Sequence, residues 1–206
     1  MEIKTLQLGY LSTNCYLLSS EKGAVVIDPG YKSDEVTSFL NDNKDKERLI
    51  FLTHNHFDHI GAALELSRNT NTKIAIGLYD NKGLSNPEIN LSLQFGSITE
   101  PFSADVLLKD SQILEVGDLK FKIIHTPGHT VGGICLLIDK FIFVGDTLFY
   151  ESIGRTDFPG GSFDEIKKSI LKLYDLDENL TVLSGHGPET TINHEKLFNP
   201  YVGNRI

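Results

Sequence analysis

The sequence has few of the features that mark secreted or membrane-embedded proteins. Its 206 residues include two cysteines and no tryptophan, and no run approaches the roughly 18 apolar residues of a membrane-spanning helix. Residues 1–4 lack a basic segment leading into an apolar one, so we expect no secretory signal peptide. Cys15 and Cys135 cannot form a disulfide framework and lie in apolar runs. We therefore expect buried free thiols in a cytoplasmic protein.

The chain is also short of positive charge. It has 19 Lys and Arg against 28 Asp and Glu, a formal net charge of −9. A nucleic-acid-binding domain normally carries a basic patch, so we expect neither nucleic acid nor a membrane as a partner. The length and the apolar fraction of 40% predict one folded domain spanning residues 1–206.

Short apolar runs alternate with helical patterns along the chain. Strands are predicted over residues 16–18, 24–27, 49–52, 73–76, 119–124, 134–138, 141–144 and 180–183. Helices are predicted over 34–41, over about 60–68 and over 163–174, where Ser162 and Glu165 form a capping box. Asp139-Lys140 predicts a tight hairpin, whereas 77–104 is polar and irregular and leaves open whether it forms a lid. The alternation indicates an α/β layered protein.

Potential metal ligands are concentrated directly after the predicted strand 49–52. The six residues from His54 to His59 contain His54, His56, Asp58 and His59. Alternate strand residues point to the same side, so His54 and His56 share a direction until the chain turns. Imidazole and carboxylate suit zinc, iron or manganese. Such a segment can present ligands to two adjacent metal ions.

Three later strand ends supply further candidate ligands. His129 follows strand 119–124, Asp146 follows strand 141–144, and His186 follows strand 180–183. Each lies at or near a glycine, which lets the backbone approach closely. We therefore expect four loops to converge at one edge of a sheet.

Taken in order, these motifs resemble the metallo-β-lactamase superfamily and, within it, the glyoxalase II-like hydrolases. The resemblance runs from Thr13-Asn14-Cys15-Tyr16 through Asp28-Pro29-Gly30 to Gly185-His186-Gly187-Pro188. It implies an αββα four-layer sandwich with two divalent metal ions, zinc first and iron or manganese otherwise, at one edge of the paired sheets. It also implies a first metal held by His54, His56 and His129, a second held by Asp58, His59 and His186, and Asp146 bridging the two.

The chemistry that follows is metal-assisted hydrolysis of a small-molecule thioester. Two ions about 3.5–4 Å apart would share a water whose pKa falls towards roughly 7, and the resulting hydroxide would attack the carbonyl. Asp58 would orient that hydroxide by accepting its hydrogen bond. A thiolate leaves without a strong general acid. The resemblance suggests S-lactoylglutathione or a related thioester as the substrate.

Two departures from glyoxalase II bear on the substrate. Arg155 lies where that family contacts glutathione, but Asp157 follows it, so Arg155 either binds an anionic substrate group or pairs with Asp157. Twenty residues follow His186, and the helical extension that completes the glutathione pocket is expected to be missing. The alternatives are an iron-dependent persulfide dioxygenase, which shares a Gly-Arg-Thr-Asp segment, a lactonase or other ester hydrolase, and a non-catalytic metal-binding module.

Weaker predictions concern the neighbours of the ligands. Thr53, Thr130 and Thr147 each adjoin a ligand and are expected either to orient its ring or to cap a turn. Asp28 is expected to have a structural role at its turn. His125 and His194 fit no ligand motif and are expected to be ordinary structural or surface residues.

Overall fold

The computed structural model describes residues 1–203, whose main feature is a pair of six-stranded sheets. The strands of the first sheet keep their chain order in space: β1 (Glu2–Leu8), β2 (Thr13–Ser19), β3 (Gly23–Ile27), β4 (Glu47–Leu52), β5 (Lys73–Gly77) and β6 (Val106–Leu108). Strands β1 to β3 are antiparallel, and β3 to β6 are parallel. Parallel strands buried on both faces read as continuous apolar runs, which is why β3 and β4 were predictable.

The second sheet is formed by the later part of the chain. Its region contains β7 (Ile113–Val116), β8 (Leu119–His125), β9 (Ile134–Ile138), β10 (Phe141–Gly145), the two-stranded ribbon β11 (Leu148–Phe149) and β12 (Ser152–Ile153), then β13 (Thr181–Ser184) and β14 (Thr190–Thr191). The spatial order is β14-β13-β10-β9-β8-β7, with the ribbon forming a separate small sheet. Asp139 and Lys140 join β9 to antiparallel β10, so the predicted hairpin is confirmed.

The helices cover the outer faces of the two sheets. They are α1 (Asp34–Asp42), α2 (Phe57–Ile60), α3 (Ala63–Thr70), α4 (Phe163–Tyr174) and α5 (Ile192–Phe198), with a short 3₁₀ helix at Asn81–Ser85. None of these helices, over residues 1–203, is long and apolar enough to cross a membrane.

Three apolar clusters separate four layers. Phe51 and Phe121 belong to the cluster between the two sheets, and their rings lie 4.9 Å apart. Leu40 belongs to the cluster between the first sheet and α1 and α3. Ile170 belongs to the cluster between the second sheet and α4 and α5. Each sheet is therefore buried on both faces, and the predicted αββα four-layer sandwich is confirmed.

Two helix predictions are confirmed and one is wrong. Helix α4 begins after Ser162, whose Oγ accepts a hydrogen bond from Glu165 N at 3.3 Å, and α1 begins after Ser33 as predicted. The helix predicted over 60–68 is divided into α2 and α3. At Gly61 a Cβ atom would lie 2.3 Å from Gly30 O, because the chain packs tightly there against a neighbouring turn.

The strands that the sequence pattern missed lie mostly at sheet edges. Strands β1, β6 and β7 are edge strands, and side chains such as Ile3, Leu107 and Ile113 are partly or largely exposed. An edge strand needs less apolar surface, so its pattern is weak. The prediction of two buried free thiols is confirmed, since Cys15 and Cys135 are both fully buried and unpaired.

Candidate metal centre

The seven candidate ligands meet at one edge of the paired sheets, beyond the ends of β4, β8, β10 and β13. His54, His56 and His129 form one group, called here the three-histidine group. Asp58, His59 and His186 form a second, called here the mixed group. Within each group the potential ligand atoms lie within 4.8 Å of one another. The structure thus gathers the predicted residues into the two predicted sets.

Asp146 lies between the two groups. Its Oδ1 atom is 3.4 Å from His59 Nε2. Its Oδ2 atom is 3.5 Å from His129 Nε2 and 3.7 Å from His186 Nε2. A carboxylate has two oxygens and can face both groups at once, which is the placement that a bridging ligand requires.

Unpartnered buried atoms show that this donor set fits metal ions. Among residues 1–203, the buried Nε2 atoms of His54, His56 and His129 and the Oδ1 atom of Asp146 have no hydrogen-bond partner. Buried polar atoms are normally hydrogen-bonded, because leaving one unpaired costs about 1–3 kcal/mol. Divalent cations held by imidazole and carboxylate account for unpartnered atoms of this kind gathered at one edge of the sheets.

The other ring nitrogen of most ligand histidines is held by the protein. The Nδ1 contacts are His54 with Thr53 Oγ1 at 3.1 Å, His59 with Asp28 Oδ2 at 2.9 Å, His129 with Arg155 O at 2.8 Å and His186 with Leu11 O at 3.1 Å. A carbonyl or carboxylate partner assigns the proton to Nδ1 and leaves the Nε2 lone pair for a metal.

Asp28 supports one histidine in each group. Its Oδ2 atom accepts hydrogen bonds from His59 Nδ1 at 2.9 Å and from Thr53 Oγ1 at 2.6 Å. Thr53 Oγ1 in turn accepts from His54 Nδ1. Asp28 Oδ1 accepts from Thr53 N at 2.8 Å, so both carboxylate oxygens are already engaged. Asp28 therefore has a positioning role in addition to the structural one predicted from the sequence.

The electrostatics of the two groups differ. Burial lowers the pKa of His54, His56 and His129, that of His56 to about 3, so these imidazoles are neutral near pH 7. Burial also acts to lower the pKa of His59, but Asp58 and Asp146 outweigh it and the pKa is raised. Neutral imidazole is the ligand form, so the three-histidine group is ready to bind a cation.

The predicted threonine contacts are only partly present. Thr53 contacts His54, as described above, but Thr130 Oγ1 donates to Asp80 Oδ2 at 2.7 Å. Thr147 Oγ1 donates to Thr126 Oγ1 at 3.2 Å. Asp80 was not predicted from the sequence, and it lies in the unassigned segment 77–104. Its only signal was an acid shortly after the predicted strand 73–76.

Arg155 forms the loop contact that was one of its two predicted roles. Its guanidinium donates to both carboxylate oxygens of Asp157 at 2.7 and 2.6 Å and lies 3.7 Å from the ring centroid of Phe158. Its side chain is 53% exposed. The Phe158 ring is 6.0 Å from the ring of His56, so this loop adjoins the three-histidine group.

The remaining predicted positions lie outside the two ligand groups. His125 Nε2 is 3.0 Å from Val131 O, and His194 stacks on Tyr150 with ring centroids 4.9 Å apart. Within segment 77–104, Phe95 stacks on Phe57 at 5.1 Å. That segment therefore packs beside the loop that carries the candidate ligands.

Known proteins resemble the chain over nearly its whole length. A Haemophilus influenzae protein named hydroxyacylglutathione hydrolase GloC is 33% identical, with 100% of both chains covered. Among solved structures, the BLEG-1 B3 metallo-beta-lactamase has a TM-score of 0.89 at 36% identity, covering 98% of this chain and 99% of that one. TTHA1623 in a di-iron-bound form has a TM-score of 0.85 at 29% identity, covering 96% and 99%. ETHE1 from Myxococcus xanthus has a TM-score of 0.80 at 28% identity, covering 100% and 86%.

The family model described as the metallo-beta-lactamase superfamily matches residues 8–186. That span begins at the end of β1 and closes at His186, so it contains both ligand groups and Asp146. The match covers most of the 206 residues. With this match and the four-layer fold, the chain belongs to the metallo-beta-lactamase superfamily.

Proposed function

We propose that the protein is a binuclear metal-dependent hydrolase that cleaves thioesters of the glyoxalase II type. The observation that carries the proposal is the position of Asp146 between two ligand groups, together with the unpartnered Nε2 atoms that converge beside it. The 33% identity with the protein named hydroxyacylglutathione hydrolase GloC supports the thioester as the substrate class.

Seven residues are proposed to hold the two metal ions. His54, His56 and His129 would hold one ion, Asp58, His59 and His186 the other, and Asp146 would contact both. When bound, two such ions acidify water and polarise a carbonyl oxygen. Zinc is our first assignment, and the resemblance to a di-iron-bound protein makes iron the leading substitute ahead of manganese.

Asp58 is proposed as both a ligand and a catalytic residue. Its Oδ2 atom accepts a hydrogen bond from Thr13 Oγ1 at 3.2 Å and lies 3.2 Å from His186 Nε2. Burial acts to raise the pKa of Asp58, but His59 and His186 outweigh it and the pKa is lowered. An ionised carboxylate can accept a hydrogen bond from the attacking water and orient it towards the acyl carbon. The water oxygen bonds to the acyl carbon as the carbon–sulfur bond breaks; the sulfur departs as a thiolate, and the protons of the water pass to solvent.

Arg155 is proposed to bind an anionic group of the substrate. Its side chain is half exposed beside the three-histidine group, and its partner Asp157 is an exposed carboxylate that a substrate carboxylate can replace. Arg155→Ala is therefore expected to raise KM for anionic thioesters and to leave metal content unchanged. An equal loss for neutral and anionic thioesters would contradict this role.

The proposed function is tested by elemental analysis combined with a substrate panel. The purified protein is expected to hold close to two metal ions per chain and to hydrolyse S-lactoylglutathione. His56→Ala and His186→Ala should each lose metal and turnover. His125→Ala and His194→Ala are the matched controls and should keep both, because these histidines lie outside the ligand groups.

The alternatives give different results in the same panel. One iron per chain with oxygen uptake on glutathione persulfide would identify a persulfide dioxygenase. Turnover of lactones without turnover of any thioester would identify a lactonase. Metal binding with no turnover on any of these substrates would favour a metal-binding module and overturn the proposed thioesterase.

A further inference from the structure

A buried carboxylate outside both ligand groups joins the loops that carry the three-histidine group. Asp80 follows β5 and is 1% exposed. Its Oδ2 atom accepts hydrogen bonds from Thr130 Oγ1 at 2.7 Å and from Asn55 N at 3.1 Å. Its Oδ1 atom accepts from Gly132 N at 2.6 Å. Three donors from two distant parts of the chain thus meet on one side chain.

The donors lie next to the ligands in the sequence. Asn55 is the residue between His54 and His56, and Thr130 directly follows His129. Asn55 Nδ2 also donates to the backbone carbonyl of Asp80 at 3.4 Å. Asp80 therefore connects the loop after β4 to the loop after β8, and these two loops carry all three histidines of the group.

The packing around Asp80 leaves little freedom for the two loops. A Cβ atom at Gly132 would lie 2.2 Å from Asp80 N and 2.6 Å from Asp80 Oδ1. A Cβ atom at Gly83 would lie 2.3 Å from Asn55 Nδ2. The close approach to the backbone of Asp80 requires glycine at position 132, and a side chain at position 83 would displace that of Asn55. Contacts through Asp80 therefore join the two ligand loops, in addition to the direct hydrogen bond from Ile134 N to Thr53 O at 2.9 Å.

We propose that Asp80 is a positioning residue for the three-histidine group, which holds the His54–His56 loop and the His129 loop at the separation that brings their Nε2 atoms together. The proposal rests on the binuclear centre proposed above and adds a residue that acts on one of its two ion sites. Asp80 acts through Asn55, Thr130 and Gly132.

An amide cannot replace this carboxylate. All three groups that face the Asp80 oxygens are N–H or O–H donors, and an ionised carboxylate has acceptors only. Burial raises the pKa of Asp80 to about 6, so the group is ionised at pH 7.5. Asparagine would keep one acceptor oxygen and direct an N–H₂ group at one or more of the donors, which would separate the loops.

The test compares Asp80→Asn with Glu195→Gln, a matched substitution of another buried carboxylate. Glu195 is 0% exposed and accepts from Glu151 N at 3.1 Å, Thr190 Oγ1 at 2.7 Å and Asn199 Nδ2 at 2.8 Å. None of these donors adjoins a ligand in the sequence. Binding of Zn²⁺ is measured by competition with a chromophoric chelator, and Co²⁺ absorption spectra show which ligand group is occupied.

Asp80→Asn is expected to lower the affinity for one of the two metal equivalents by about 10- to 100-fold, the range found when groups that orient ligands are removed. The weakened equivalent should be the one that His129→Ala also loses. The equivalent that His186→Ala loses should bind Asp80→Asn with wild-type affinity. Glu195→Gln should bind both equivalents with wild-type affinity. Thr130→Val, which removes one donor and retains the aspartate, should weaken the same equivalent to a smaller extent.

The inference is overturned if Asp80→Asn binds both equivalents like the wild type, or weakens both equally. It is also overturned if Glu195→Gln has the same effect, since that would show a general response to loss of a buried carboxylate. If Asp80→Asn does not fold, a wild-type metal profile in Thr130→Val overturns the inference. A wild-type protein that binds no metal would overturn the proposed function and this inference together.

Discussion

Replacing Asp28 with asparagine should weaken metal binding at both ligand groups, and more strongly at the mixed group. Asp28 Oδ2 accepts the Nδ1–H of His59 at 2.9 Å. An asparagine that keeps its oxygen towards Thr53 N directs its N–H₂ group at His59. The favoured tautomer of His59 then carries its proton on Nε2, where a metal needs the lone pair.

The size of the effect follows from the lost bond. A hydrogen bond to a charged group contributes about 1.5–3 kcal/mol, and about 1.4 kcal/mol corresponds to a factor of ten in affinity. Metal affinity at the mixed group should therefore fall about 10- to 100-fold. The three-histidine group should be affected less, because Asp28 reaches His54 only through Thr53.

Two measurements check this prediction. Chelator competition gives the two metal affinities, and long-range ¹H–¹⁵N spectra of the metal-free protein, recorded at a pH at which His59 is neutral, identify its tautomer. Asp118→Asn is the control, because Asp118 is an exposed carboxylate that accepts from Lys22 N at 3.0 Å in a turn at the opposite end of the sheets. Wild-type affinity at the mixed group, or an unchanged tautomer at His59, would refute the reasoning.

Three further predictions concern packing, thiol chemistry and helix capping. Gly185→Ala should abolish metal binding while far-UV circular dichroism stays unchanged, because a Cβ atom there would lie 2.2 Å from Asp146 Oδ1; a normal metal content would contradict this. Neither cysteine should react with a thiol reagent in the folded protein at pH 8: burial raises the pKa of Cys15, and that of Cys135 to about 11, so both stay protonated until far higher pH. Two thiols should titrate in denaturant. Ser162→Ala should lower the free energy of unfolding by about 0.5–2 kcal/mol in a urea titration, with unchanged metal stoichiometry, because it removes the N-cap of α4.

The sequence predicted the elements whose signals are local. The N-cap contact between Ser162 Oγ and Glu165 N lies within four residues, and the predicted bounds of α4 match the structure. The convergence of the candidate ligands was also predictable, because each candidate follows an apolar run and strand ends meet at a sheet edge. By contrast, at the break between α2 and α3 Ala62 N donates to Pro29 O at 3.0 Å, and Pro29 is distant in the sequence, so local periodicity could not indicate the break.

The residues that orient the ligands could not be predicted either, because they too depend on contacts between positions distant in the sequence. Asp28 and Asp80 carry no pattern of their own, and each acts through donors that only the folded chain brings near: Asp28 is 31 positions from His59, and Asp80 is 50 positions from Thr130. Both are buried acids, which composition alone would class as surface charges. The hydrogen bonds that these carboxylates accept compensate for their burial, and for Asp28 they include one from the His59 imidazole.

Arg155 has two proposed roles, one for its side chain and one for its backbone carbonyl. The Arg155–Asp157 ion pair is exposed to solvent, which screens it, so an anionic substrate group can compete with Asp157 for the guanidinium. The ring orientation of His129 depends instead on the backbone carbonyl of Arg155 at 2.8 Å, which any residue at this position supplies. The side chain can therefore serve the substrate while the backbone serves the metal ligand, and a substitution at Arg155 acts on the first function alone.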